Sequence, residues 1–174
     1  MESPSVRQHR EAAPGSVGCA VLTISDTRTP ETDTGGDLLV ELLTTRGHRV
    51  VRRGIVRDEP EAIASWIQQA AQDPEVQAIL TTGGTGIAPR DVTYEVVAAL
   101  VEKRLDGFGE LFRMLSYQEV GPAAMLSRAV GGVYRRKVIL SMPGSPHAVR
   151  LAMEKLVLPE LGHLVREASR PGGH

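Results

Sequence analysis

Cysteine is almost absent from this chain. Cys19 is the only one among 174 residues, so no internal disulfide can form, and within its apolar run it reads as a small buried hydrophobe. A zinc centre goes with it, because one Cys and five scattered His give no ligand spacing. Aromatic residues make up 3% of the chain, with a single Trp. The core must therefore be built from Val, Leu, Ile and Ala, a composition that suits parallel strands covered by helices. Neither sign of charge dominates. Lys and Arg number 20 against 21 Asp and Glu, net −1, so no basic face is expected and no nucleic-acid partner. No apolar stretch is long enough to span a bilayer, and Met1 to Gly15 lacks an apolar signal core. The expectation is a cytoplasmic protein with no membrane partner.

What the chain does contain is an alternation of two periodicities. Val17 to Ser25 reads as a first strand, and Gly35-Gly36 opens a helix that ends near Gly47. His48 to Val56 reads as a second strand. Asp58, with Glu61 three residues on, has the form of a capping box, followed by Ile63, Trp66, Ile67 and Ala70 at helical spacing. Asp73-Pro74 ends that helix before a third strand, Val76 to Leu80, and Glu95 to Val101 reads as the next helix. The second half predicts a helix over Glu110 to Glu119, a break at Gly121-Pro122, two short strands (Ala129 to Tyr134, Lys137 to Met142) and a last helix from His147 towards Ala168, bent or split at Pro159. This rhythm predicts an α/β fold with a mostly parallel sheet. One domain is expected over residues 16–169, with a mobile tail at 1–15 and a frayed end at 170–174.

Between the third strand and its helix lies Thr81-Thr82-Gly83-Gly84-Thr85-Gly86-Ile87-Ala88-Pro89-Arg90-Asp91-Val92-Thr93. A glycine-rich turn in that position is where α/β proteins hold phosphates, through free N–H groups and the positive end of the helix dipole. The generic patterns fail, however. No Lys follows Gly86, so this is not a Walker loop; Pro89 stands where the dinucleotide fingerprint requires a third Gly. Pro143-Gly144-Ser145-Pro146 repeats the strand–turn–helix arrangement but is no serine-hydrolase elbow.

The longer string resembles the signature of the MoaB/MogA family, the molybdopterin-binding proteins of molybdenum-cofactor biosynthesis. Three further segments agree in order and spacing: Ile24-Ser25-Asp26-Thr27-Arg28 with Glu31-Thr32-Asp33 and Gly35-Gly36; Gly107-Phe108-Gly109-Glu110 with Leu111-Phe112-Arg113; and Ser141-Met142-Pro143-Gly144-Ser145-Pro146. The likeness covers roughly Val17 to Glu167, in the MoaB-like version. It implies a three-layer α/β/α fold, a homotrimer or homohexamer, contact with other enzymes of the pathway, and adenylylation of molybdopterin with ATP and magnesium. It implies catalytic roles for Asp91 and Asp58, with Asp91 the candidate magnesium ligand. It implies substrate-binding roles for Ser25, Asp26, Thr82, Gly83, Gly84, Thr85, Gly86, Arg90, Thr93, Pro143, Gly144, Ser145 and Pro146, and, at a second tier, for Glu110, Ser127 and Arg128. The alternative within the same pathway is a carrier that binds molybdopterin without nucleotide chemistry. Each residue also has a plainer reading: Asp58 as a helix cap, Asp91 as a charge at a helix N-terminus, Arg90 as the partner of a carboxylate, and Pro146 as the first residue of a helix.

Overall fold

In a computed structural model, residues 13–171 are described. The expected N-terminal tail before residue 13, and residues 172–174 of the expected frayed end, lie outside that range. Six strands form one sheet: β1 (Gly18–Ile24), β2 (Arg49–Val56), β3 (Ala78–Thr82), β4 (Lys103–Arg104), β5 (Val130–Tyr134) and β6 (Lys137–Met142). Their order is β2-β1-β3-β6-β5-β4. The first four neighbours run parallel, while β5 is antiparallel to both β6 and β4. The helices are α1 (Thr34–Thr45), α2 (Pro60–Gln72), α3 (Thr93–Leu100), α4 (Asp106–Val120), α5 (Pro146–Ala152) and α6 (Leu158–Ser169).

Alternation along the central strands separates the two helical layers. Cys19 and Val21 of β1, Ala78 and Leu80 of β3, and Val138, Leu140 and Met142 of β6 pack with Leu39 and Leu43 of α1, Phe112 of α4 and Leu161 of α6. The residues between them, Ala20, Leu22, Ile79 and Ile139, pack with Ile63 and Ile67 of α2 and Val97 of α3. The period of two along a strand therefore places one residue in each layer by turn, and the three-layer architecture follows. The near-absence of aromatics is met by branched aliphatics that are fully buried.

Two details differ from the reading of the sequence, and the turn expected between Tyr134 and Lys137 is strained. The two-residue strand β4 has no signal of its own, because two charged residues on an edge carry no periodicity. The last helix is split, but before the proline: Met153–Val157 forms a π turn between α5 and α6, which widens the backbone where Pro159 removes a donor and crowds the preceding turn. The β5–β6 turn is made of Arg135 and Arg136, both at positive φ (48° and 62°). That two-residue geometry favours Asn-Gly, and an L side chain there costs about 1 kcal/mol. Replacing the pair by Asn-Gly removes this strain at the loss of a surface hydrogen bond from Arg136 to the Ser169 carbonyl and of the Arg135 guanidinium's contact with the Tyr134 ring. The expected outcome is a rise of roughly 2–4 °C in Tm by calorimetry; an unchanged or lower Tm would mean that the arginine contacts outweigh the strain.

Candidate functional site

Because β2, β1, β3 and β6 run parallel, their carboxyl ends share one rim of the sheet. The chain passes from β1 outward to β2 and then back across β1 to β3, so the connections leaving β1 and β3 diverge and open a crevice between them. The first loop after β1 supplies Ser25 and Asp26, the end of β2 leads to Asp58, β3 delivers the glycine stretch, and β6 delivers Pro143 to Pro146.

Two of the glycines are dictated by crowding and by backbone angle. Gly83 and Gly84 have φ of 99° and 63°. A Cβ on Gly83 would run into the Ile24 carbonyl, and one on Gly84 into Asp58 Oδ1 and Thr93 Oγ1. The loop is fastened at both ends: Gly83 N–H donates to the Met142 carbonyl at 3.0 Å and Thr93 N–H to the Gly84 carbonyl at 3.1 Å. Between these anchors the N–H groups of Gly84, Thr85, Gly86 and Ile87 find no acceptor among the described residues. Consecutive free N–H groups in a turn with left-handed residues form a concave anion nest.

Charge at the crevice is arranged by pairs. Arg90 grips Asp26 with both arms, at 2.7 to 3.0 Å, so its plainer reading is realised in this state. Asp26 also accepts the Asp58 N–H at 3.2 Å, and its carboxyl is held below the ordinary range, chiefly by the Arg90 hydrogen bonds. Asp91 Oδ2 accepts the Ala88 N–H at 2.9 Å, closing the loop's own turn rather than capping α3. Asp58 is the exception. It is no cap: α2 begins after Glu59, and no side chain bonds its first turn. The residue order Asp-Glu-Pro-Glu moves the start of the helix one place on, because Pro60 is suited to the first helical position. Asp58 Oδ1 is shielded from solvent and has no hydrogen-bond partner, and Thr93 Oγ1 is in the same condition. Burial, then the charges of Asp26 and Asp91, push the Asp58 carboxyl upward.

The remaining expected residues divide between two hollows. Ser25, Thr82, Gly83, Gly144 and Ser145 line one of about 320 Å³. Within it, the Thr82 hydroxyl donates to the Pro143 carbonyl at 3.0 Å, and Ser145 caps α5 by accepting the Ala148 N–H, with Pro146 in the first helical position. Glu110, Ser127 and Arg128 stand apart in a second hollow of about 400 Å³, next to Tyr94 and Arg113. Thr85 and Thr93 are buried beneath the loop. The reading of the sequence missed a buried ionic anchor. Asp33, 1% exposed, accepts from Thr23 Oγ1 (2.8 Å), Gly36 N (3.0 Å) and Arg53 (3.0 Å). Its place just before the Gly-Gly start of α1 was a readable N-cap signal; Arg53, one of several arginines on an edge strand, gave none.

The family described as the probable molybdopterin binding domain matches residues 20–163. The chain belongs to this MoaB/MogA family. It is 54% identical to the molybdenum cofactor biosynthesis protein B of Bacillus cereus, over 95% of this chain and 99% of that one. A crystal structure of a molybdenum cofactor biosynthesis protein B superposes with a TM-score of 0.88 at 56% identity, over 91% of this chain and 99% of that one. The tungsten cofactor synthesizing protein MoaB from Pyrococcus furiosus superposes with a TM-score of 0.81 at 35% identity, over 91% of this chain and 100% of that one. No helix among the described residues is long and apolar enough to cross a membrane.

In this MoaB/MogA site the raised Asp58 carboxyl has a measurable sign. Ionised Asp58 is disfavoured by the folded state, so it takes nothing from stability below the ordinary Asp range, and an increasing amount as pH rises through that range. Asp58→Asn removes the liability. With divalent cations chelated, its Tm should exceed the parent's near pH ~7, and the gap should narrow towards pH ~4, close to the unperturbed Asp value. Thermal unfolding at both pH values checks it; an equal gap at both would remove the electrostatic account.

Proposed function

We propose that the crevice binds molybdopterin and ATP side by side and joins them. The terminal phosphate of molybdopterin attacks the α-phosphorus of ATP; a new P–O–P bond forms, the bond to the β-phosphate breaks, and pyrophosphate leaves with its electron pair. Two anionic phosphates approach one another only where positive potential is already in place. The observation that carries this reading is the row of unpaired loop amides beside Asp58, whose shielded Oδ1 lacks any partner. The amides would cradle a phosphate and fix its orientation. Ile87, 68% exposed on the same loop, offers an apolar face to a flat ring.

Magnesium suits the donor set. Asp58 has an uncompensated oxygen and Asp91 carries a second carboxylate close enough to raise its pKa. Among the described residues no cluster of three or more His, Cys, Asp or Glu stands ready for a metal, so the ion would take its other ligands from phosphates and water, as magnesium commonly does. Bound there, it would neutralise triphosphate charge. Asp91 would position it, and Asp58 would gain the cation that burial denies it.

Purified protein incubated with molybdopterin, ATP and magnesium should yield adenylylated pterin by mass spectrometry, and Asp91→Asn of equal stability should yield none. Retained pterin without any adenylylated product would overturn the enzyme reading and leave a carrier. The chain is also proposed to assemble. The exposed large apolar side chains Leu111, Met114, Tyr117 and Val120 of α4, with Met125 and Leu126 just after it, make a face that favours burial against a second copy. Light scattering after size exclusion should give a trimer or a multiple of three; a stable monomer would refute it.

A further inference from the structure

We infer that Arg128 is a positioning residue that turns the phosphate-binding loop outward; this rests on the reading of the crevice given above. Arg128 comes from the segment between α4 and β5, yet it holds the glycine loop at three carbonyls. Its own N–H donates to the Thr85 carbonyl at 3.1 Å, its Nε to the Gly86 carbonyl at 2.8 Å, and its Nη2 to the Asp91 carbonyl at 2.7 Å. Its third nitrogen, Nη1, is paired with Glu95, and the guanidinium lies over the Tyr94 ring, 5.2 Å from its centre. The side chain is thus fully engaged with protein and is not a free cation awaiting a ligand.

The consequence follows from the planarity of the peptide unit. In a trans peptide the C=O of one residue and the N–H of the next point in opposite directions. Drawing the carbonyls of Thr85, Gly86 and Asp91 towards Arg128 therefore aims the N–H groups of Gly86, Ile87 and Val92 away from it. None of these three N–H groups has an acceptor among the described residues. The same grip fixes the backbone that carries Asp91, while its carboxylate is fixed from the other side by Ala88 N–H. Lysine would supply the charge but not the fork, because a guanidinium presents several donors in one rigid plane and an ammonium does not. Glu95 offsets the charge and leaves geometry as the contribution.

The test compares the parent with Arg128→Lys and Arg128→Ala for MgATP affinity by calorimetry, for adenylylation, and for thermal unfolding. Arg128→Lys should remain folded but bind MgATP about tenfold or more weakly, a factor equal to roughly 1.4 kcal/mol. Added methylguanidinium should restore a part of the affinity to Arg128→Ala and nothing to Arg128→Lys. Parental affinity in Arg128→Lys, or no rescue of a folded Arg128→Ala, overturns the inference. If neither variant folds, Glu95→Ala, which removes the acceptor of one arm of the guanidinium, should weaken MgATP by about threefold; parental affinity there overturns it as well. A parent that binds MgATP but transfers no adenylyl group refutes the proposed reaction and leaves the Arg128 test intact. A parent that binds no MgATP overturns both.

Discussion

The whole rim depends on four stretches of bare backbone meeting where no side chain fits. Gly83 lies against the Ile24 carbonyl at the end of β1, and Gly144, after β6, is so close that its Cβ would stand 3.3 Å from Gly83 Cα. Gly35, at the start of α1, closes on the Gly144 carbonyl, 2.8 Å from where its own Cβ would be. Three strands and a helix are thereby brought to van der Waals contact at a single place. The register of β1, β3 and β6, in which Thr23 aligns with Thr82 and Thr82 with Met142, continues directly into the crowded loops.

Around this contact the protein uses charge in two distinct ways. Where strength is needed it buries a carboxylate with its donors, as in Asp33 with Thr23, Gly36 and Arg53. Such a group, fully satisfied, locks the entry to α1 against β1 and β2. At the mouth it does the reverse. Asp58 is left short of partners and Asp26 is matched by an arginine that lies mostly in water. An exposed pair of that kind contributes little stability, so its arms are free to be exchanged. Stability is concentrated under the rim and adaptability on top of it.

The layers of the fold were legible because alternating aliphatics and amphipathic helices carry their own periods. The crevice was legible because glycines, a proline and an Arg-Asp pair gather in one string after a strand. What escaped was set by distant parts of the chain. The capping-box pattern at Asp58 is a local signal that a proline two residues later displaces. The engagement of Arg128 with Thr85, Gly86 and Asp91 joins segments some forty residues apart, and no local pattern announces it. The division of Glu110 and Ser127 from the strand-end hollow is likewise a matter of where α4 lands. Arg90 had two readings that only the position of Asp26 separates.

The lone cysteine gives the molecule a built-in clock. Cys19 sits in β1, between β2 and β3, with no exposed surface, and burial pushes its thiol up to about 12. Reagents attack the thiolate, so the group stays silent while the sheet is closed. Its sulfur lies in the layer shared with Leu39 and Leu43 of α1 and Leu161 of α6, so it is reached when those helices lift from the sheet. Alkylation at this one sulfur therefore counts openings of the core between that helical layer and the sheet, and sets them apart from the looser motions of the rim above.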